Sequence, residues 1–533
     1  MSVGIIASAA YVNPEMAVEF GRLPPSFLPA GNARLFVRQV QLLQRLAGRV
    51  VLTLPEGFSI AAHDARLLRN LSVEVVRIAE GVSLAESLML ALIQSVEGDE
   101  AAVLLHGDTL FIGMESFPWD AFSVHAENHP YPWAVVESRA PVKVRSVEDG
   151  LCAEQPIVSG LFSFSRGVDF LRSLARTRDF LAALNDYAAC VPDFHPVENC
   201  GLWLDLGHLN TYYETRRTLT TERTFNTLAI SRNIVCKTST QCEKMEAEAS
   251  WYEALPSKLK PYVPVYLGRL NSPLTSHGYS LSYEYLCPLS DLYVFGALPA
   301  PVWQRIFASC RDVLSLLRTA KPNSVREAWF THLYNGKAVA RFEAFARSAG
   351  IETGRAWSIN GEVLPPPTDI IERMAEIIGP PVMEDAGILH GDFCLSNILF
   401  DFRQGSVKLV DPRGYTEPGT PELFGDTRYD LGKLHHSVVG GYDMIVAGYY
   451  DLRQDAPYTL TFEIGTIPER HRLEKLFIDI VCEGDEKRVR VAAAISVLLF
   501  FSMLPLHGDN QQRQWAFLAN GYRLYRSCFG RAA

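Results

Sequence analysis

The chain of 533 residues is too long for one core, and at roughly 100–200 residues per domain it predicts about three compact units. Hydrophobic residues make up 48% and charged residues 21%, an ordered globular composition. The formal charge of −10 excludes a basic footprint for nucleic acid or anionic lipid, so a phosphate-bearing ligand must be held by local cations, metals or helix ends.

The opening stretch Met1–Ala10 is apolar but lacks the basic segment of a signal peptide. Val3–Ala9 reads as a strand, Leu35–Leu46 has helical periodicity, and Val50–Leu54 is a short β run. Leu84–Val96 reads as a helix and Ala102–Leu105 as a further buried strand. This βαβ rhythm predicts a mainly parallel sheet with helices on its faces.

Blocks of distinctive residues punctuate that rhythm: Val3–Ala7, then Gly21–Pro29 and Asn32–Gln39, then Gly81–Ser87. Leu104-Leu105-His106-Gly107-Asp108 and Gly201-Leu202-Trp203-Leu204-Asp205-Leu206-Gly207 follow. In order, they resemble the blocks of sugar-1-phosphate nucleotidyltransferases. The resemblance implies a Rossmann-like α/β domain of the GT-A kind over residues 1–215. It also implies that Asp108 and Asp205 share a catalytic Mg²⁺ and that the Gly81 block helps to bind a second NTP. A metal makes chemical sense there, because a sugar phosphate attacking the α-phosphate of an NTP brings two anions together. Two departures stand out. Ser8-Ala9-Ala10-Tyr11-Val12-Asn13-Pro14 replaces the family's glycine-rich loop, and Pro25-Ser26-Phe27-Leu28-Pro29 lacks its lysine. Arg22, Arg34 or Arg38 could supply the missing charge.

Character changes after Tyr213. Phe225–Ile230 and Ile234–Lys237 read as strands joined by the polar turn Ser231–Asn233. A charged helix, Gln241–Leu255, and another strand, Tyr279–Tyr285, follow. From Pro301 the pattern is mostly helical, broken by a β pair at Ile398–Phe400 and Val407–Val410. The longest apolar run, Val491–Leu506, is short for a membrane helix and carries Pro505, so it reads as a buried helix. The ten cysteines form neither a CxxC pair nor a zinc spacing, which predicts reduced thiols and a cytoplasmic protein with no membrane insertion.

The strongest motif is His390-Gly391-Asp392-Phe393-Cys394-Leu395-Ser396-Asn397, followed by Val407-Lys408-Leu409-Val410-Asp411. Phosphoryl transfer needs a carboxylate at the attacking hydroxyl and oxygen ligands for magnesium on the phosphates. Asp392 is placed for the first role, and Asn397 and Asp411 for the second. The pattern resembles the aminoglycoside phosphotransferase and choline kinase family. That resemblance implies a bilobal, protein-kinase-like fold, with a small lobe at 216–286 and a helical lobe at 287–533. Lys237 would then reach the ATP phosphates, with Glu246 or, preferably, Glu248 as its ion-pair partner. Glu284 and Tyr285 would form the hinge facing adenine. Thr218–Thr224 would be the phosphate-covering loop, since no glycine occurs between Gly207 and Gly268. Asp426 and Asp430 are expected to brace the catalytic loop, and the pair His435-His436 diverges on a helix rather than binding metal.

The two halves predict a bifunctional enzyme. ATP-dependent phosphorylation of a sugar, polyol or amino-alcohol would be followed by nucleotidyl transfer from an NTP, giving an activated building block for a surface glycan or capsule. The alternative is a small-molecule kinase whose first domain binds a nucleotide without cleaving it. No glycine- or proline-rich tether separates the halves near Tyr213–Thr220, which predicts a short, ordered junction.

Overall fold

The computed structural model describes residues 2–126, 131–147, 155–198, 200–219, 227–231, 233–271, 277–467 and 469–530. The chain divides into two compact units, Met1–Thr220 with Phe295–Ala297, and Thr221–Val294 with Leu298–Ala533. The threonine-rich segment expected to cover phosphate lies, from residue 220 on, outside the described residues, while residues 213–219 of the expected junction fall in the helix Leu209–Leu219.

The first unit is an α/β layer structure. Strands β1 (Ser2–Ala7), β2 (Arg49–Pro55), β3 (Val73–Ile78) and β4 (Ala101–His106) pair in parallel in the order β4-β1-β2-β3. Their apolar centres, Val3 to Ile6 and Ala102 to Leu105 among them, are buried, as strands covered on both faces must be. Helix Leu35–Leu46 buries Leu35, Phe36, Gln39, Val40, Leu42 and Leu43 on one stripe. Helix Leu84–Ser95 starts at a capping box between Ser83 and Glu86.

A second, mostly antiparallel half was not predicted. Strands β5 (Thr109–Ile112), β6 (Ala121–His125), β7 (Ala134–Arg139), β8 (Val142–Ser146), β9 (Ile157–Phe164), β10 (His195–Glu198) and β11 (Leu202–Asp205) complete the unit. Among the described strands of this half, only β10 and β6 pair in parallel. β9 runs antiparallel to both β4 and β6, and so extends the sheet to the order β10-β6-β9-β4-β1-β2-β3. β11 and β5 form a separate antiparallel pair with Asp205 opposite Thr109.

In the second unit a small antiparallel sheet has the order β12 (Thr227–Ile230), β13 (Ile234–Ser239), β15 (His277–Ser282), β14 (Tyr266–Asn271). β15 stops at Ser282, short of the predicted Tyr285, because its partner β13 begins opposite at Ile234 and leaves no further strand to pair with. Helix Cys242–Ala254 belongs to this lobe. The larger lobe is helical, with a core that includes Trp329, Phe342, Ile371, Ile495, Phe501 and Tyr522. Its helix Glu486–Ser502 holds most of the long apolar run and gives way to a short turn, Leu504–His507, where Pro505 cannot continue it. Short β features interrupt this lobe, among them the antiparallel pair Ala386–Ile388 with Phe424–Asp426. Ile398–Asp401 and Ser406–Leu409 form the predicted hairpin, and a four-stranded sheet carries Trp357–Ile359, Glu362–Leu364, Tyr450–Ala456 and Thr459–Ile464. Among the described residues no helix is long and apolar enough to cross a membrane.

Candidate active sites

The motif His390–Asn397 lies between the short strand Ala386–Ile388 and the hairpin. Asn397 donates its amide to Asp392 Oδ2 at 2.9 Å and to the Asp392 carbonyl at 3.0 Å. Asp430 accepts the backbone N–H groups of His390 and Gly391, each at 2.8 Å. Trp251 Nε1 donates to the Leu389 carbonyl at 2.9 Å, tying helix Cys242–Ala254 to the same loop. Asp426 instead pairs with Arg428, at 2.7 Å. The loop's conformation is therefore set by donors and acceptors outside it, which keeps the Asp392 carboxylate in one orientation.

Lys237 Nζ stands 2.6 Å from Glu248 Oε2 and 3.1 Å from Asp411 Oδ1. Tyr279 donates to the same Glu248 oxygen at 2.7 Å. Burial opposes the lysine's charge, but the Asp411 and Glu248 carboxylates outweigh it and hold its pKa above the ordinary value. Asp411 has φ 55, a left-handed conformation that costs a non-glycine residue energy and that clusters at functional sites. Three residues on, Gly414 has φ +71, and a Cβ there would lie 2.2 Å from the Ala247 carbonyl oxygen. Only glycine lets the segment after Asp411 pass so close to the helix that carries Glu248.

Of the expected hinge residues, Glu284 pairs with Lys408 at 3.2 Å and accepts from Ser282 Oγ at 2.9 Å. The Tyr285 ring lies edge-on to Tyr283, with centroids 4.8 Å apart. Glu246 is spent on Arg269, which leaves Glu248 as the lysine's partner. His435 and His436 are both buried, and among the described residues no group of three or more His, Cys, Asp or Glu could hold a metal. The donors gathered at Asn397 and Asp411 are an amide and a carboxylate oxygen, the hard oxygen chemistry that magnesium takes.

In the first unit Asp108 follows β4 directly, at the carboxyl end of the parallel strands, where α/β sheets place their ligands. Gln39 turns its amide onto the carbonyls of His106, Gly107 and Thr109, at 3.2, 3.0 and 2.9 Å, and so shapes the Asp108 turn. The β11–β5 pairing brings Asp205 to the same place, and the Leu206 N–H donates to the Asp108 carbonyl at 2.8 Å. A Cβ on Gly207 would stand 2.4 Å from Asp108 Oδ2 and 3.3 Å from Asp205 Oδ1. Those two oxygens are therefore within about 5.7 Å of each other, the sum of the two distances. Burial and then the charge of Asp205 raise the Asp108 pKa, the strain that a shared divalent cation relieves.

Asp205 is further held by Thr211 and by His208 Nδ1, the latter at 3.0 Å. Burial lowers the His208 pKa, but the hydrogen bond and charge of Asp205 more than reverse this. A cavity of about 400 Å³ opens beside the two aspartates, with Trp133, Trp203, His106, His208 and Arg178 in its wall.

The arginines proposed for the missing positive charge are otherwise engaged. Arg22 pairs with Glu80 at 2.6 Å and lies over the Tyr11 ring. Arg34 is buried against Asp64 at 3.0 Å and donates to the Phe27 carbonyl, and Arg38 donates to the Ala30 carbonyl. Gly81 has φ +84 and precedes the Ser83 capping box. Sequence reasoning missed Arg178, His208 and Gln39. The first two lie in no recognised block, and Gln39 closes the Asn32–Gln39 block without marking what its amide does.

No family model matches the chain, and no curated protein matches it. Among solved structures, it is similar to HddC from Yersinia pseudotuberculosis, at 14% identity over 41% of this chain and 99% of that one, with a TM-score of 0.31. It is also similar to the GDP complex of aminoglycoside 2'-phosphotransferase-IIIa, at 12% identity over 58% and 92% of the two chains, TM-score 0.39. A third likeness is to the inositol-1-phosphate CTP transferase of T. maritima, at 15% identity over 41% and 96%, TM-score 0.31.

Proposed function

We propose that the chain is a bifunctional enzyme, whose second unit moves the γ-phosphoryl group of ATP to a hydroxyl of a small molecule. The observation that supports this is two sets of contacts, Lys237 with Glu248 and Asp411, and Asn397 with Asp392, joined where the Val410 N–H donates to the Asn397 carbonyl at 3.0 Å. Asp392 would accept the acceptor's hydroxyl proton, and Lys237 would hold the phosphates of ATP. Asn397 and Asp411 would hold magnesium, which when bound offsets phosphate charge. Glu284 and Tyr285 would flank the adenine.

The first unit would then join the phosphorylated product to an NTP and release pyrophosphate. Asp108 and Asp205 support this step as the pair able to hold its Mg²⁺. Fusion would raise the local concentration of the intermediate. Use of the product in surface-glycan or capsule synthesis rests on the sequence resemblance alone.

One observation favours a second reading, in which the first unit binds a nucleotide without cleaving it. The segment that replaces the glycine-rich loop is pinned internally. The Ser8 N–H donates to Thr53 Oγ1 at 2.9 Å, and Ser8 Oγ accepts the Ser26 N–H at 3.1 Å.

The test is ADP release from ATP with sugars, polyols and amino-alcohols, followed by each NTP with a pyrophosphate readout. Phosphorylation without pyrophosphate from any NTP selects the second reading. Failure of every acceptor in the first step removes the kinase assignment.

A further inference from the structure

Asp392 stands at the edge of an excess of positive charge. Lys337 and Arg341 are four residues apart on helix Asn335–Ala349, so they share a face, where like charges repel. Arg413 lies two residues past Asp411, and Lys433 lies on helix Arg428–Val438. All four are half-buried. They gather around Tyr429, which is fully buried. Lys337 Nζ donates to its phenol oxygen at 2.8 Å and Arg413 at 3.1 Å. Lys433 Nζ stands 2.6 Å from Asp392 Oδ1.

Carboxylates do not balance this charge. Among the described residues, Asp392 pairs with Lys433, and no acidic side chain pairs with Lys337, Arg341 or Arg413. Among the described residues, Arg341 reaches only the Ser502 carbonyl, at 3.5 Å. The field is strong enough to hold the Tyr429 phenol far below its ordinary range, at about 6, despite burial. Asp392 and an ionised Tyr429 offset part of this charge, and burial and then Arg413 bring the Lys337 pKa down to about 7. The partly buried excess of positive charge that is left is costly unless a further anion completes it.

The nucleotide does not account for the set. Its phosphates have Lys237 and the oxygens of Asn397 and Asp411. Of the cations, Lys433 lies at Asp392 Oδ1, the oxygen that Asn397 leaves, and Lys337 and Arg413 stand behind it on the Tyr429 phenol.

We propose that this cluster is an anion subsite, and that the acceptor phosphorylated at Asp392 carries a carboxylate or phosphate group alongside its hydroxyl. This rests on the kinase reading and narrows it, turning the preference away from amino-alcohols. The acceptor oxygen would form a bond to the γ-phosphorus as the bond to the β,γ-bridging oxygen breaks. The electron pair leaves with ADP, and the hydroxyl proton passes to Asp392. The acid group, held by the guanidinium and ammonium donors, fixes which hydroxyl is presented.

The experiment compares matched acceptors on the full chain with Mg·ATP: glucose, glucuronate and glucose 6-phosphate; glycerol, glycerate and glycerol 3-phosphate; and glucosamine as a cationic control. The expected result is a kcat/KM for an acidic member about a hundredfold above its neutral partner. The carboxylate and phosphate arms decide which anion is taken. Lys337→Gln and Arg341→Gln should each raise the acceptor KM about tenfold and leave the ATP KM unchanged. Lys337→Arg should retain most of the acid preference, and melting curves check folding of each variant. Preference for neutral or amino acceptors, or a rise in ATP KM instead of acceptor KM, overturns the inference while leaving the kinase reading intact. Turnover of no acceptor removes the kinase reading. The subsite is then decided by calorimetric titration with glucuronate and glucose 6-phosphate, where binding lost in Lys337→Gln supports it and no binding to wild type ends it.

Discussion

Lys433 Nζ lies 2.6 Å from Asp392 Oδ1, while the Asn397 amide holds Oδ2 at 2.9 Å. Both carboxylate oxygens are thus engaged by groups that favour the ionised form. Burial works against that form, yet Lys433 and Arg413 outweigh it and hold the Asp392 carboxyl well below the usual range. Asp392→Asn keeps the shape and removes the proton acceptor. It should lower kcat by about 10²–10⁴ and change the ATP KM little. Steady-state kinetics on the true acceptor check this, and near wild-type turnover would remove Asp392 from the mechanism.

Asp430 predicts a different signature. Its carboxylate is the acceptor for the His390 and Gly391 N–H groups. Asp430→Ala strands two buried donors, at a cost of roughly 1–3 kcal/mol each. The variant should lose roughly 2–6 kcal/mol in urea unfolding and lose kcat with it, because the loop it braces carries Asp392. An unchanged unfolding midpoint would show that the loop keeps its shape without the brace.

The elements legible in the sequence were those whose periodicity and neighbours agree. Leu35–Leu46 has a clear apolar stripe, and the helix has those bounds. The antiparallel strands from Thr109 to Phe164 were not seen, because short segments such as Thr109–Ile112 take their β form from distant partners like β11. The sheet containing Trp357 and Leu460 was missed for the same reason. Asp392, Asn397 and Asp411 were readable because they keep a spacing within one stretch of chain. Lys433, Lys337 and Arg413 meet only through the packing of two helices and a loop, which a linear pattern does not record. Gly207 was visible as part of a block, but its steric role required the fold.

That role gives a third prediction. A methyl group at residue 207 would stand 2.4 Å from Asp108 Oδ2, so Gly207→Ala must displace one carboxylate. Pyrophosphate release should fall by at least about tenfold, while ATP-dependent phosphorylation by the second unit is spared. The two half-reactions assayed on one preparation check it, and full retention of pyrophosphate release would mean that the two carboxylates need not approach this closely.

Tyr429 carries a pH prediction. Burial favours its neutral form, but Arg413, Lys337 and Lys433 outweigh it and bring the phenol from 10.0 down to about 6. A folded-state pKa below the unfolded one gives stability that is complete above about pH 10 and lost as pH falls through about 6. Between those limits the stability of wild type relative to Tyr429→Phe should rise with pH. Tyrosinate absorbance near neutrality should be present in wild type and missing from the variant. A Tyr429 that stays un-ionised up to the range of free tyrosine would show that the cations are screened.

The last prediction concerns independence of the two chemistries. Asp108 and Asp205 meet within the first unit, and the pairs Lys237–Asp411 and Asp392–Asn397 both lie within the second. Each set contains its own acidic oxygens. Asp205 receives His208, Thr211 and the Gly207 N–H, all from its own segment. Its replacement by alanine should therefore disturb local contacts only, abolishing pyrophosphate release from an added phosphorylated substrate while ATP consumption with the unphosphorylated acceptor continues. Asp411 sits at a left-handed φ of 55 and shares Lys237 with Glu248. Asp411→Ala should stop ATP-dependent phosphorylation and leave nucleotidyl transfer to the pre-phosphorylated substrate in place. Lys237 would keep Glu248, so the small lobe should remain folded, as a melting curve of the variant would show. Each single mutant is assayed for both half-reactions with separately supplied substrates, so that loss of the first step cannot masquerade as loss of the second. If either substitution removes both activities from a folded protein, the two steps depend on one another, and the bifunctional reading with separate centres fails.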